Sequence, residues 1–408
     1  MERTLYKRAV LEEITRYLRT DDIIVLHGAR QVGKTSIMMM LQRDLIAQGE
    51  RTIYLDLEDS RLVSVLDRGV DEFLRFLQGE GNDLGAIDQA GGRLFALIDE
   101  IQYLANPSSF MKLVADHHRV LKLIVSDSSS FEMKSKFRDS LVGRTVEFTV
   151  YPLSFREMLD FRGVAFAPAP TYTEKKILEL QAIYTEFVLY GGYPKIVLTP
   201  NLEMKERYLQ QIIDTYVRKD IRDLAEIKDV TKFNRLLEVL ASQSGSLLNI
   251  AELSTTCALA RPTVERYLFL LEQTFILKLV RPFSRNTRSE LTKMPKVFLC
   301  DTGLMQMLWL KQLQREVLGS VFETSVFAEL LKRYGADCIS FWRTTDKKEI
   351  DFILKLPAGT LPIEVKLNFP QTAPPAIRSF LSDEDDEYRV VALQGRPVEE
   401  RMIYPWQL

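Results

Sequence analysis

Cysteine and histidine are both scarce in this chain, with three of each in 408 residues. Cys257, Cys300 and Cys338 are odd in number and widely spaced. They fit neither a zinc site nor a disulfide framework and are expected to be buried thiols. His27, His117 and His118 offer no metal-ligand spacing, and His27 is expected in a strand. No apolar run approaches the ~18–20 residues of a transmembrane helix. The N-terminal stretch Met1-Glu2-Arg3-Thr4-Leu5-Tyr6-Lys7-Arg8 has no apolar core of a signal peptide. A cytosolic protein with no membrane partner is expected. A large charge of either sign is also missing: the net charge is −2. There is no global attraction for nucleic acid, so any DNA contact needs a local basic patch.

What is present is an ordinary globular composition, 46% hydrophobic and 27% charged. The length suits about two to four domains. The most informative segment is Gly28-Ala29-Arg30-Gln31-Val32-Gly33-Lys34-Thr35, a full G-x-x-x-x-G-K-[ST] phosphate loop. It follows the apolar run Ile23-Ile24-Val25-Leu26 and opens a helix-like stretch from Ser36 to Ala47. Strand, glycine turn and helix N-terminus together aim backbone N–H groups at one point, which suits the triphosphate of ATP. Lys34 is expected to reach the β- and γ-phosphates and Thr35 to offer its hydroxyl to Mg²⁺. Gly28 and Gly33 supply backbone that a Cβ would obstruct.

A second run, Leu94-Phe95-Ala96-Leu97-Ile98, has the unbroken apolarity of a strand buried on both faces of a parallel sheet. It ends in Asp99-Glu100. Asp99 is placed to hold Mg²⁺ through water, and Glu100 to orient or deprotonate the attacking water. Arg51 to Asp56 supplies another strand. Leu121 to Val125 is a further one, followed by Ser126-Asp127-Ser128-Ser129-Ser130. This polar strand end has two readings: a sensor of γ-phosphate or water, or a serine turn capping the next helix.

Four motifs occur in order: the phosphate loop, Asp99-Glu100-Ile101-Gln102, Leu141-Val142-Gly143-Arg144 and Pro152-Leu153-Ser154-Phe155-Arg156-Glu157. Together they resemble a large group of prokaryotic AAA-fold (AAA+/STAND-like) ATPases. The resemblance implies a three-layer α/β/α P-loop ATPase core over 1–150 and a helical lid over 151–230. It also implies that Arg144 contacts the nucleotide phosphates, either within the chain or across a subunit boundary of a homo-oligomer. The alternative for Arg144 is a surface ion pair. Asp127 departs from the pattern, which has a small residue there. A carboxylate at that place would repel the γ-phosphate unless it faces Mg²⁺ or a base.

Residues 172–224 carry helical periodicity broken at Gly191-Gly192-Tyr193-Pro194. Tyr216-Val217-Arg218-Lys219-Asp220-Ile221 matches the family pattern. Arg218 and Lys219 face either nucleotide or DNA, or simply solvent. Residues 231–300 have the order of a winged helix. Phe233–Ala241 and Ile250–Thr255 are helical, Arg261 opens a third helix, and Phe275–Val280 and Lys296–Cys300 are strand-like. Pro262 suits a first helical turn. If this module reads DNA, Arg261 and Arg266 are the contact candidates. The basic set Arg281, Arg285, Arg288, Lys293 and Lys296 would then touch phosphate from the wing. Otherwise it is a packing or lid module.

Asp301-Thr302-Gly303-Leu304 again matches the family pattern. Beyond it, over 301–408, a helix from Phe322 through Glu329 is followed by strands at Ile339–Arg343, Lys347–Leu354 and Leu361–Lys366. Asp351 and Glu364 can meet across the ladder, and Glu364 and Lys366 share one strand face. Two carboxylates and a lysine converging there form the donor set of Mg²⁺-assisted phosphodiester hydrolysis, with Glu323 as a third carboxylate. The arrangement resembles the PD-(D/E)XK restriction-endonuclease-like fold. The bland alternative is a cross-strand ion pair. The run Asp383 to Glu387 is acidic and expected to be a solvated turn.

The α/β fold expected throughout supports two roles. One is an ATPase coupled to DNA binding or metal-dependent cleavage. The other is an ATP-driven switch that binds DNA or a partner without cutting.

Overall fold

A computed structural model describes the chain apart from residues 1–4, 128–140, 221–226, 228, 285–293 and 382–386; of 218–220 only the backbone is described. The chain divides into two units, Met1–Tyr151 and Pro152–Leu408.

The first unit is built on five parallel strands: β1 (Ile23–His27), β2 (Arg51–Asp56), β3 (Leu94–Asp99), β4 (Leu121–Asp127) and β5 (Thr145–Thr149). Their order across the sheet is β2-β3-β4-β1-β5. The three inner strands are buried along their whole length, whereas β2 and β5 at the edges carry exposed positions. This is why the inner strands read as unbroken apolar runs. Alternation divides them between two layers. Ile23, Val25, Ala96, Ile98, Leu123 and Val125 join one core cluster with Phe73, Phe110, Met111 and Val114. Those partners come from the helices Val70–Gly79 and Pro107–His117. Helix α1 (Lys34–Ala47) starts at the phosphate loop, buries Ile37, Met38 and Leu41, and packs on β3 and β4.

The second unit carries a seven-stranded mixed sheet. Its strands are β6 (Leu277–Pro282), β7 (Lys296–Leu299), β8 (Ile339–Arg343), β9 (Glu349–Leu356), β10 (Gly359–Asn368), β11 (Arg389–Gln394) and β12 (Met402–Ile403). The order is β12-β11-β10-β9-β8-β6-β7. Helices Phe155–Phe161, Glu174–Tyr190, Pro194–Val197 and Leu202–Ile212 open the unit, and directly before β6 come α2 (Val230–Ser242), α3 (Ile250–Cys257) and α4 (Arg261–Gln273), the last with Pro262 in its first turn. The antiparallel pair β6–β7 was expected to end a separate module at residue 300. Instead β6 pairs in parallel with β8 through Arg281–Ser340 and Pro282–Phe341, so that boundary falls inside one sheet. Helix α5 (Thr302–Leu310) follows β7, and helix α6 (Gly319–Tyr334) packs on β7, β8 and β10. Phe298 of β7 and Phe327 of α6 stack with ring centres 4.5 Å apart.

Candidate functional site

In the first unit the side chains gather at the C-terminal edge of the parallel sheet. Gly28 follows β1 immediately, and a methyl group on it would lie 2.2 Å from the carbonyl oxygen of Val150. Only glycine lets the loop pass so close to the segment that follows β5. Gln31 is left-handed at φ 63°, and Gly33 at φ 103° precedes the first turn of α1. Ala29 and Val32 are buried, Arg30 and Ser36 half-buried and Gln31 exposed. Lys34 is buried, and its Nζ donates to the carbonyl oxygens of Gly28 and Ala29 at 2.9 Å each. Burial pulls its pKa down, while the carboxylates of Glu100, Asp127 and Asp99 act the other way.

Asp99, 2% exposed at the end of β3, organises this edge. Its Oδ2 accepts from the Thr35 hydroxyl at 2.7 Å and from the Tyr54 phenol at 2.7 Å. Its Oδ1 accepts from Ser126, whose own oxygen takes the backbone N–H of Glu100 at 3.0 Å. Burial and the Asp99 carboxylate push the Tyr54 phenol well above its ordinary pKa, so it stays a donor. Glu100 sits at φ 59°, and its side chain accepts from Gln102. A hydroxyl beside a buried carboxylate is an all-oxygen donor set, and these residues fit Mg²⁺. Among the readings offered for the strand end, Ser126 does something else: it joins Asp99 to the backbone of Glu100. Ser128, Ser129 and Ser130 lie outside the described residues.

Three residues here carried no signal in the sequence. Tyr54 looked like one more strand residue. Arg8 is buried and donates to the carbonyls of Val32 at 2.6 Å and Tyr151 at 2.9 Å, tying the N-terminal segment to the phosphate loop. His27 lies between two acids, Asp127 and Glu147.

Arg144 stands away from the phosphate loop of its own chain. Its backbone carbonyl accepts from the N–H of Ile23, at the start of β1, whereas the phosphate loop follows the other end of that strand. Five residues of strand separate the two ends, roughly 15 Å. Its guanidinium meets Asp116 with Nε–Oδ1 at 2.6 Å and Nη2–Oδ2 at 3.3 Å. Within one chain, Arg144 therefore lies at the end of the sheet opposite the phosphate loop.

The second unit has its own charged cluster. Ile363 opposes Phe352 in the β9–β10 ladder, and Glu364 and Asp351 are the residues next to that pair on the two strands. Asp351 Oδ2 accepts from the Val365 N–H at 2.8 Å, and Glu364 Oε1 accepts from Lys366 Nζ at 2.6 Å. Glu323, from the second turn of α6, faces the same place. Burial, reinforced by the charge of Asp351, pushes both Glu323 and Glu364 up to about 7.

The occupant that the sequence did not announce is Lys296. It was expected to touch phosphate from a wing, but it is 2% exposed. Its Nζ lies 2.7 Å from Glu349 Oε1 and 3.3 Å from Glu323 Oε1. Burial opposes its charge, yet the acids Glu323, Asp351 and Glu349 hold its pKa above the ordinary lysine value. Glu349 also accepts from Arg343 at 2.7 Å. Among the described residues no three acids, histidines or cysteines are disposed to hold a metal ion. Lys296 thus stands beside Asp351, Glu364 and Glu323, where the sequence pointed to Mg²⁺.

Of the other basic candidates, Arg261, Arg266 and Arg281 are exposed. Arg285, Arg288, Lys293 and most of the acidic run Asp383–Glu387 lie outside the described residues, as do the side chains of Arg218 and Lys219. Cys257 and Cys300 are buried and Cys338 partly so. Among the described residues no helix is long and apolar enough to cross a membrane.

Comparison with known proteins places residues 20–159 in a family described as an AAA domain. Residues 181–316 and 318–404 match two families described as domains of unknown function, DUF8612 and DUF4143. An uncharacterized protein of Haemophilus influenzae is 27% identical over 96% of this chain and 94% of its own. One from Methanocaldococcus jannaschii is 23% identical over 85% of this chain and 75% of its own. Among solved structures, AMPPCP-bound DnaA from Aquifex aeolicus aligns at 17% identity and a TM-score of 0.29, covering 67% of this chain and 90% of that one. The match over residues 20–159 supports an AAA-type ATPase in the N-terminal unit.

Proposed function

We propose that this chain binds and hydrolyses Mg·ATP in its first unit and uses the nucleotide state as a switch, while its second unit binds DNA without cutting it. The observation that carries the first half is the contact of Thr35 with Asp99 at 2.7 Å beside the buried Lys34. In the chemistry we infer, backbone N–H groups of Arg30 to Ser36 and the start of α1 surround the β- and γ-phosphates. Lys34 exchanges its two loop carbonyls for phosphate oxygens. Thr35 and Asp99 would hold Mg²⁺, which would supply charge neutralisation at the phosphates. Glu100 accepts a proton from the water whose oxygen attacks the γ-phosphorus as the bond to the β-phosphate oxygen breaks. Arg144 acts on the nucleotide of a neighbouring copy.

The second half rests on α4. Its buried residues Val264, Tyr267, Leu268 and Leu271 face the unit, leaving Arg261, Glu265, Arg266 and Phe269 exposed. We read α2, α3, α4 and the β6–β7 pair as a winged-helix-like module with α4 as its recognition helix. Two guanidiniums beside an exposed aromatic ring suit phosphate contact and base stacking.

The test is nucleotide turnover and DNA binding by the whole chain. Phosphate release should vanish in Glu100→Gln while nucleotide binding persists. Anisotropy of labelled duplex and single-stranded DNA should show binding that weakens in Arg261→Ala/Arg266→Ala. Absence of turnover would sink the ATPase half. DNA affinity unaffected by the double substitution would sink the role of α4. Mg²⁺-dependent cleavage lost in Asp351→Ala would replace the non-cutting reading.

A further inference from the structure

The acid cluster of the second unit presents a problem of charge. Glu323, Glu349, Asp351 and Glu364 converge from α6, β9 and β10, and Glu364 is 5% exposed. Burying that many carboxylates requires cations among them. Lys366 meets Glu364 from the edge of the cluster, and Arg343 meets Glu349 from β8. The inner cation is Lys296, whose ammonium reaches Glu349 at 2.7 Å and Glu323 at 3.3 Å. Its backbone is fixed in β7 opposite Val280, and its ammonium lies 5.6 Å from the Phe341 ring centre and 6.0 Å from that of Phe298. The lysine is walled in by β-sheet and aromatic rings. Glu364 Oε2 is buried and makes no hydrogen bond among the described residues. It is an acceptor within the cluster that a cation could still use.

We infer that the Lys296 ammonium is the resident cation of this cluster, occupying the role a divalent ion would otherwise take. The folded chain is therefore closed to metal at this site, and removing that one charge opens it. This stands apart from the nucleotide reading: a chain that failed to hydrolyse ATP would leave it untouched.

The test counts Mn²⁺ bound by the nucleotide-free full chain, using the electron paramagnetic resonance signal of the free ion. Asp351→Asn identifies the site, so that any ion held near Thr35 and Asp99 is subtracted. Wild type should show no Mn²⁺ that depends on Asp351. Lys296→Met should gain one such ion, with affinity at least about tenfold above wild type, since a single charge a few ångströms away weighs heavily in a buried site. Lys296→Arg should gain none. If Lys296→Met does not fold, Lys296→Met/Glu349→Gln removes the ion pair as a unit and leaves Glu323, Asp351 and Glu364 as ligands. An Asp351-dependent ion in wild type would overturn the inference. So would a folded variant lacking the lysine charge that binds no more Mn²⁺ than wild type.

Discussion

His27 Nδ1 and Asp127 Oδ2 lie 3.4 Å apart, on register partners at the ends of adjacent strands β1 and β4. On the other side, His27 Nε2 lies 3.5 Å from Glu147 Oε2 of β5. Asp127 is the residue whose charge would repel a γ-phosphate unless it met a base or a metal, and it meets a base. Burial lowers the His27 pKa, but Asp127 and Glu147 together outweigh burial and raise it above the ordinary value. A histidine raised in the folded state stabilises fully below its unfolded pKa, about 6.5. That stabilisation is lost as pH climbs through the folded value.

Wild-type melting temperature should therefore fall as pH rises from 6.5 upward, and His27→Asn should flatten that slope. The substitution should cost about 1–3 kcal/mol at pH 6, because a buried carboxylate loses its partner. Adding Asp127→Asn should recover part of the loss. Thermal melts across pH 5.5–8.5 decide it: a slope unchanged in His27→Asn would show that this imidazole does not titrate with folding.

Lys34 ties two carbonyls of its own loop before any phosphate can reach it. Lys34→Ala should abolish ATP binding while the fold survives. The measurement is the shift in melting temperature on adding Mg·ATP. At a hundredfold excess over Kd, a ligand adds about 2.7 kcal/mol to wild type, and the variant should gain nothing. An equal shift in both chains would refute the assignment of the phosphate loop.

Arg144 sits at the wrong end of β5 to serve its own nucleotide, and its guanidinium rests on Asp116. If it serves a neighbouring copy, Arg144→Ala and Lys34→Ala should each be inactive alone. Mixed, they should regain activity, because a hybrid boundary pairs an intact phosphate loop with an intact arginine. An arginine so placed is worth about 10³–10⁵ in rate. Full activity in Arg144→Ala would leave only a half-exposed ion pair worth ~0–1 kcal/mol.

The phosphate-loop edge was legible because its signals are local. A strand buried on two faces must be apolar, a loop passing 2.2 Å from a carbonyl must be glycine, and Asp99 must terminate the strand beside it. Arg144's position was also implicit, since it stands before β5 rather than after it. Lys296 was not legible. It closes a basic stretch, and a lysine there reads as solvated until β7 delivers it among acids from α6 and β9. The same holds for the β6–β8 pairing, which joins residues about sixty apart and leaves no periodicity to find. His27 and Arg8 likewise take their roles from partners far along the chain.

Two further landmarks of the sequence do structural work, and they do it together. Asp301 caps α5 by accepting from Leu304 N–H at 2.9 Å, and it also accepts from Gly192 N–H at 2.7 Å. A methyl group on Gly303 would lie 2.2 Å from the carbonyl oxygen of Tyr190, and one on Gly191 would lie 2.3 Å from Asp301 Oδ1. The Gly-Gly-Tyr-Pro break and the Asp-Thr-Gly-Leu turn are thus two halves of one buried joint between helix Glu174–Tyr190 and α5. Gly303→Ala must push backbone against backbone, which costs about 1–3 kcal/mol or more. Asp301→Asn keeps the shape and one accepting oxygen but gives up one of the two N–H bonds, and should cost less than the backbone clash. Chemical denaturation should rank them in that order. The reverse order would mean that the carboxylate's charge, not the close approach of the two turns, holds the joint.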